Sequence, residues 1–94
     1  MKKILLISMF LIVSLQIFAQ SVKLEGVVSS ADDGQTLPGV TILEKGTNNG
    51  TVTDIDGYYK ITVSPEATLQ FSYVGMESQE VQILGRSKID IALI

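Results

Sequence analysis

Residues 20–94 predict an all-β domain, a seven-stranded antiparallel Greek-key β-sandwich, and three observations carry that reading. Apolar and polar side chains alternate with period two in one segment after another. Turn signals built on Gly, Pro, Asp and Asn recur roughly every ten residues, the spacing of short strands in two-layer sheets. No stretch beyond residue 20 has a helical period, so the layer that covers a half-apolar sheet has to be another sheet.

The chain begins differently. Met1, Lys2 and Lys3 form a short basic start, residues 4–18 are apolar except for Ser8, Ser14 and Gln16, and Ala19 is small. This is the pattern of a secretory signal peptide over residues 1–19. The apolar run is shorter than the roughly 20 residues that span a bilayer, which argues against a retained anchor. Cleavage is expected before Gln20 or Ser21, leaving residues 20–94 as the exported domain. No cysteine follows the run, so lipid attachment at a cleavage-site cysteine is excluded.

In the domain itself, residues 22–28 place Val22, Leu24, Gly26 and Val28 on one side and Lys23, Glu25 and Val27 on the other, a half-buried strand. Gly26 leaves a gap on the inward side, which predicts a bulge or the close approach of another backbone. Residues 29–35, SSADDGQ, are a polar turn in which Asp32 and Asp33 bond their own backbone and Gly34 takes a positive φ. Pro38 has no N–H for a ladder and precedes a strand at 40–45 with Val40 and Ile42 inward. Residues 51–53 are β-branched and read as a short strand, with Val52 packed into the sheet. The next strand turns Tyr59, Ile61 and Val63 inward and Tyr58, Lys60 and Thr62 outward. Residues 68–74 put Leu69, Phe71 and Tyr73 inside, 77–84 put Val81 and Ile83 on one face, and 88–94 close with Ile89, Ile91 and Leu93 inside.

Composition narrows the chemistry. Two of the seven basic residues, Lys2 and Lys3, lie in the leader, so five bases face ten acids in the exported part, a net charge of about −5. Nucleic acid and anionic lipid both demand basic clusters and are excluded as partners. With no His and no Cys, the usual soft-metal sites, histidine acid–base catalysis and thiol chemistry have no residues to use.

The densest stretch is 46–59, GTNNGTVTDIDGYY, two Gly-centred turns around the short strand. Asp54 and Asp56 superficially resemble the end of a calcium loop, but the acidic positions expected before them and the Glu after them are missing. Side-chain-to-backbone bonding by Asp54 and a positive φ at Gly57 explain the segment without a metal. Tyr58 is the outward ring available to stack on a sugar. Thr47, Asn48, Asn49, Gly50 and Tyr58 are the candidate contacts for a ligand or partner; no catalytic, cofactor or metal residue is assigned.

Four runs then carry a resemblance: LEGVV at 24–28, GQTLPGV at 34–40, the whole of 46–59, and LQFSYVGMESQE at 69–80. Together they resemble the carboxypeptidase-regulatory-like, or transthyretin-like, domain, a β-sandwich of the transthyretin/prealbumin and Ig-like kind. More narrowly, they are similar to the copy at the N-terminus of SusC/RagA-type TonB-dependent outer-membrane receptors of Bacteroidetes. Met76 departs from the pattern, which often has an aromatic there. The resemblance implies a non-catalytic periplasmic accessory domain without a cofactor. In such receptors it stands ahead of a plug and a barrel that import glycans or peptides with a SusD-like lipoprotein and the TonB system, and does not itself enter the membrane. On this reading residues 1–94 are the N-terminal piece of a receptor. The alternative is a free-standing secreted binding or adhesion module that uses Tyr58 and the 47–50 loop.

Overall fold

The computed structural model describes residues 21–94, so the signal peptide expected over 1–19 lies outside the described residues. The described chain is all β: β1 (Val22–Ser30), β2 (Thr41–Glu44), β3 (Gly50–Val52), β4 (Tyr58–Val63), β5 (Thr68–Ser72), β6 (Gln79–Gln82) and β7 (Ile91–Leu93). They form a three-stranded sheet in the order β4-β1-β7 and a four-stranded sheet in the order β3-β2-β5-β6. The two sheets share one core. Leu24, Val28, Tyr59, Ile61, Val63 and Leu93 enter it from the first, and Ile42, Leu69 and Phe71 from the second. Tyr59 and Phe71 meet edge to face with ring centroids 5.6 Å apart, a geometry worth about 0.5–1.5 kcal/mol beyond the area it buries.

The period-two pattern is the physical cause of this layering. In β4 the burial alternates without a break, Tyr59, Ile61 and Val63 inside and Lys60 and Thr62 in water. β1 runs two residues further than the pattern of 22–28 indicates, because the turn at 31–33 begins only after Ser30. There Gly34 N donates to Ser30 O, Asp33 Oδ1 accepts from Gln35 N, and Gly34 has φ 76°.

Three expectations are corrected. The ladders are not all antiparallel: β7 pairs with β1 in parallel, Val28 opposite Ile91 and Ser30 opposite Leu93. β6 finishes beside the β4–β5 turn, where Ile83 N and Gly85 N bond Ala67 O and Pro65 O. That is the end at which β1 begins, since Val22 is opposite Val63, so a chain crossing there enters β7 running the same way as β1. Second, Val52 is 58% exposed; β3 lies one residue earlier than the 51–53 pattern, and Thr53 is the buried residue. Third, Leu84 does not end a strand but occupies a turn with φ 52°, a left-handed conformation that costs a side-chain-bearing residue about 1–2 kcal/mol.

The backbone approach expected at Gly26 is present and sets the position of the C-terminal segment. A Cβ built on Gly26 would lie 1.8 Å from the Ile89 carbonyl oxygen. The same oxygen accepts the buried Tyr59 hydroxyl at 2.6 Å, and Ile89 N donates to Glu25 O at 3.0 Å. Burial, together with the nearby Asp90 carboxylate, pushes the Tyr59 phenol well above its usual range, with Arg86 opposing.

Two outcomes follow from this junction. Gly26→Ala is expected to lower the unfolding free energy by about 3 kcal/mol or more, beyond ordinary overpacking because the obstacle is backbone; denaturant titration measures it. A tyrosine whose folded pKa is raised contributes its full stability below the unfolded value of about 10. Above that pH the unfolded chain ionises while the fold holds its proton, so stability falls by up to about 1.4 kcal/mol per pH unit until the folded pKa is reached. A phenolate absorbance titration is expected to show Tyr59 ionising only as the protein unfolds, and Tyr59→Phe is expected to flatten this alkaline slope.

Candidate functional site

The residues singled out in 46–59 fall into two separate places. The turn at 45–49 is closed by its own side chains. Thr47 Oγ1 donates to Glu44 O at 2.9 Å and accepts from Asn49 N at 3.0 Å, while Asn49 Nδ2 reaches Glu44 Oε1 at 3.0 Å and Thr62 O at 2.7 Å. Thr47 and Asn49 are therefore engaged in holding β2, β3 and the end of β4 together. Asn48 is exposed at the tip. Gly50 opens β3 opposite Leu43, and a Cβ on it would press to 3.0 Å from the Ile42 carbonyl oxygen.

Tyr58 stands at the opposite end of β4. It is half-buried, and its hydroxyl donates to Glu25 Oε2 at 2.6 Å. That hydrogen bond, with smaller contributions from desolvation and from the Glu25 and Asp54 charges, raises the phenol's pKa, since a phenolate has no proton to give and would face a carboxylate. Tyr58 and Thr62 are four residues apart on one extended strand, about 13 Å at the usual rise. A ligand touching the loop tip and the Tyr58 ring at once would have to extend along the solvent-facing side of β4.

The acidic pairs are turn chemistry. Asp54 Oδ1 accepts from Asp56 N at 2.9 Å and Tyr58 N at 3.0 Å, and Gly57 N closes the turn onto Asp54 O at 2.9 Å. Gly57 has φ 77°, and a Cβ there would also collide with Val28 O and Thr36 Cβ, each 2.8 Å away. Among the described residues no three His, Cys, Asp or Glu side chains gather to hold a metal ion.

Two hollows lie elsewhere. One, of about 540 Å³, lies beside Leu93 and Ile94 between the turn after β1 and Gly75-Met76; its ionisable side chain is Asp32. The other, of about 310 Å³, is a groove between Gly39, Thr41 and Ser72, flanked by Tyr73 and Val74. None of the five candidate contact residues lines either hollow, and neither brings together the pair of groups that acid–base or nucleophilic chemistry needs.

Two roles are not legible in the sequence pattern. Thr53 is buried, and its hydroxyl accepts from Val40 N at 2.9 Å and donates to Leu37 O at 2.6 Å, tying the 37–40 segment to the end of β3. Glu25 is the partner of Tyr58. The two are diagonal neighbours across β1 and β4, with Val27 opposite Tyr58 and Glu25 opposite Lys60. The alternation shows that both face outward, but register, and hence their meeting, depends on turns the alternation does not describe.

The family model for the CarboxypepD_reg-like domain matches residues 24–93. TonB-dependent receptor P3 of Formosa agariphila is 39% identical over 92 residues, 97% of this chain and 9% of the receptor. TonB-dependent receptor P39 of the same organism is 51% identical over 63 residues, 66% of this chain and 6% of the receptor. TonB-dependent receptor SusC of Bacteroides thetaiotaomicron is 26% identical over 88 residues, 94% of this chain and 9% of the receptor. The chain thus spans less than a tenth of the length of these relatives. The matched residues run from the middle of β1 to the end of β7, the whole two-sheet unit, and the chain belongs to the CarboxypepD_reg-like domain family.

Proposed function

We propose that the chain is a non-catalytic accessory domain of a SusC-like TonB-dependent nutrient receptor. It would be exported through the leader at 1–19 and held in the periplasm next to the outer membrane. The observation that carries this reading is the shape of the match to receptor P3: nearly all of this chain aligns, and the aligned part is a small fraction of the receptor. The same module recurs inside a much larger protein, and its role there, on this proposal, is contact and positioning. In this reading its immediate partners are the plug and barrel of the same receptor, and through them a SusD-like lipoprotein and the TonB system. The cargo is a glycan or a peptide.

Residue chemistry supports the non-catalytic half of the proposal. There is no His or Cys, Asp54 and Asp33 spend carboxylate oxygens on backbone N–H groups of their own turns, and the hollows carry no paired groups. Contact through Asn48 at the β2–β3 turn or through the Tyr58 ring on the solvent-facing side of β4 would be made at separate points.

Reading the gene onward from codon 94 tests the proposal. The expected result is an open frame that continues, through a short LDEVVV-like segment, into a plug and then barrel strands. A stop codon followed by unrelated genes would overturn it.

A further inference from the structure

The two ends of the domain lie on neighbouring strands that run the same way. β1 enters the sheet at Val22 and β7 leaves it at Leu93, with Val28 opposite Ile91 and Ser30 opposite Leu93. A pull applied at the two ends draws β1 toward Val22 and β7 toward Leu93. The strands are then displaced along their axes in opposite senses. Bonds that run across a strand pair are loaded together in that geometry, whereas a pull from one end would open them one at a time.

The bonds that share the load can be named. Glu25 N donates to Ser87 O at 3.1 Å, Ile89 N to Glu25 O at 3.0 Å, and Ala31 N to Leu93 O at 2.8 Å. Val27 N donates to Asp90 Oδ1 at 2.9 Å, and the Tyr59 hydroxyl holds the Ile89 carbonyl at 2.6 Å from β4. Steric interlock adds to them, because the Ile89 carbonyl sits in the space that Gly26 leaves open, 1.8 Å from a Cβ position. A two-residue slide of β1 in the direction of the pull would bring the Cβ of Val28, the next inward-facing residue, toward that oxygen. β1 cannot simply travel with the pull, since its other flank is paired to β4 from Val22 to Val27.

We propose that the β1–β7 pair is a shear clamp, which keeps the domain folded under a pull applied between its Val22 and Leu93 ends. The proposal rests on strand order and direction and does not depend on the receptor assignment.

The chain has no cysteine, so a pair of introduced cysteines sets the direction of pull in a single-molecule force experiment. Ser21→Cys with Ile94→Cys loads β1 against β7 in shear. Asp32→Cys with Ile94→Cys pulls from the end at which both strands finish and unzips them. At equal loading rate the first pair is expected to need a several-fold higher unfolding force, and adding Tyr59→Phe is expected to lower that force while leaving the second nearly unchanged. Forced unfolding follows the barrier to unfolding, and a general loss of stability lowers both directions alike, so it cannot imitate the difference. Equal forces in the two directions, or an equal effect of Tyr59→Phe on both, would overturn the clamp.

Discussion

At Gly26 the Ile89 carbonyl occupies the place where any other residue would begin its side chain. That single close approach decides how the C-terminal segment lies on the sheet. With the oxygen seated there, the Tyr59 hydroxyl reaches it from β4, Ile89 N reaches Glu25 O on β1, and the next residues fall into parallel register with the end of β1. The strand that closes the first sheet is three residues long, too short to be held by its own ladder alone. Its placement comes from the junction that precedes it, and the core side chains Ile89 and Leu93 are delivered inward by that placement.

The second organising region is 46–59, and its residues divide between structure and surface. Asp54, Gly57, Thr47, Asn49 and Thr53 satisfy backbone groups or occupy conformations and spaces that the connections between β2, β3 and β4 require. A buried polar group without a partner costs about 1–3 kcal/mol, which holds for Thr53; Thr47, Asn49 and Asp54 are exposed, and their hydrogen bonds close the turns they sit in. Asn48 and the face of the Tyr58 ring are left for contact with anything outside. The family's matched span is thus mainly a record of how the sandwich is held together, consistent with a module whose role is set by what it is attached to.

Much of this was legible in the sequence because the responsible forces are local. Period-two burial in β1, β4 and β5 follows from alternation at the residues that carry it, such as Tyr59, Ile61 and Val63 or Leu69 and Phe71. Gly26 could be identified as either a bulge or a point of backbone approach, because a Gly on an inward strand position leaves a gap, and the second of these is what the structure has. The direction of β7, the exposure of Val52 and the turn at Leu84 could not be read in the same way. Each depends on where the chain crosses between sheets, and β-branched or aliphatic residues suit a three-residue strand and an exposed turn position alike. The pairing of Tyr58 with Glu25 was hidden for a related reason, since it needs the β1–β4 register. The polar turn at 29–35 was legible as a turn, but the grip of Thr53 on the 37–40 segment beyond it was not.

Through the Gly26–Ile89–Tyr59 junction the C-terminal segment is fixed to β1 as firmly as β4 is. Native-state amide hydrogen exchange in increasing denaturant tests it directly, because it separates local opening from global unfolding residue by residue. The amides of Ile89 and Ala31, which bond Glu25 O and Leu93 O, are expected to exchange only through global unfolding, with the same free energy as the amides shared by β1 and β4. Exchange of those two amides through a local opening of lower free energy, with β1 and β4 still protected, would contradict it.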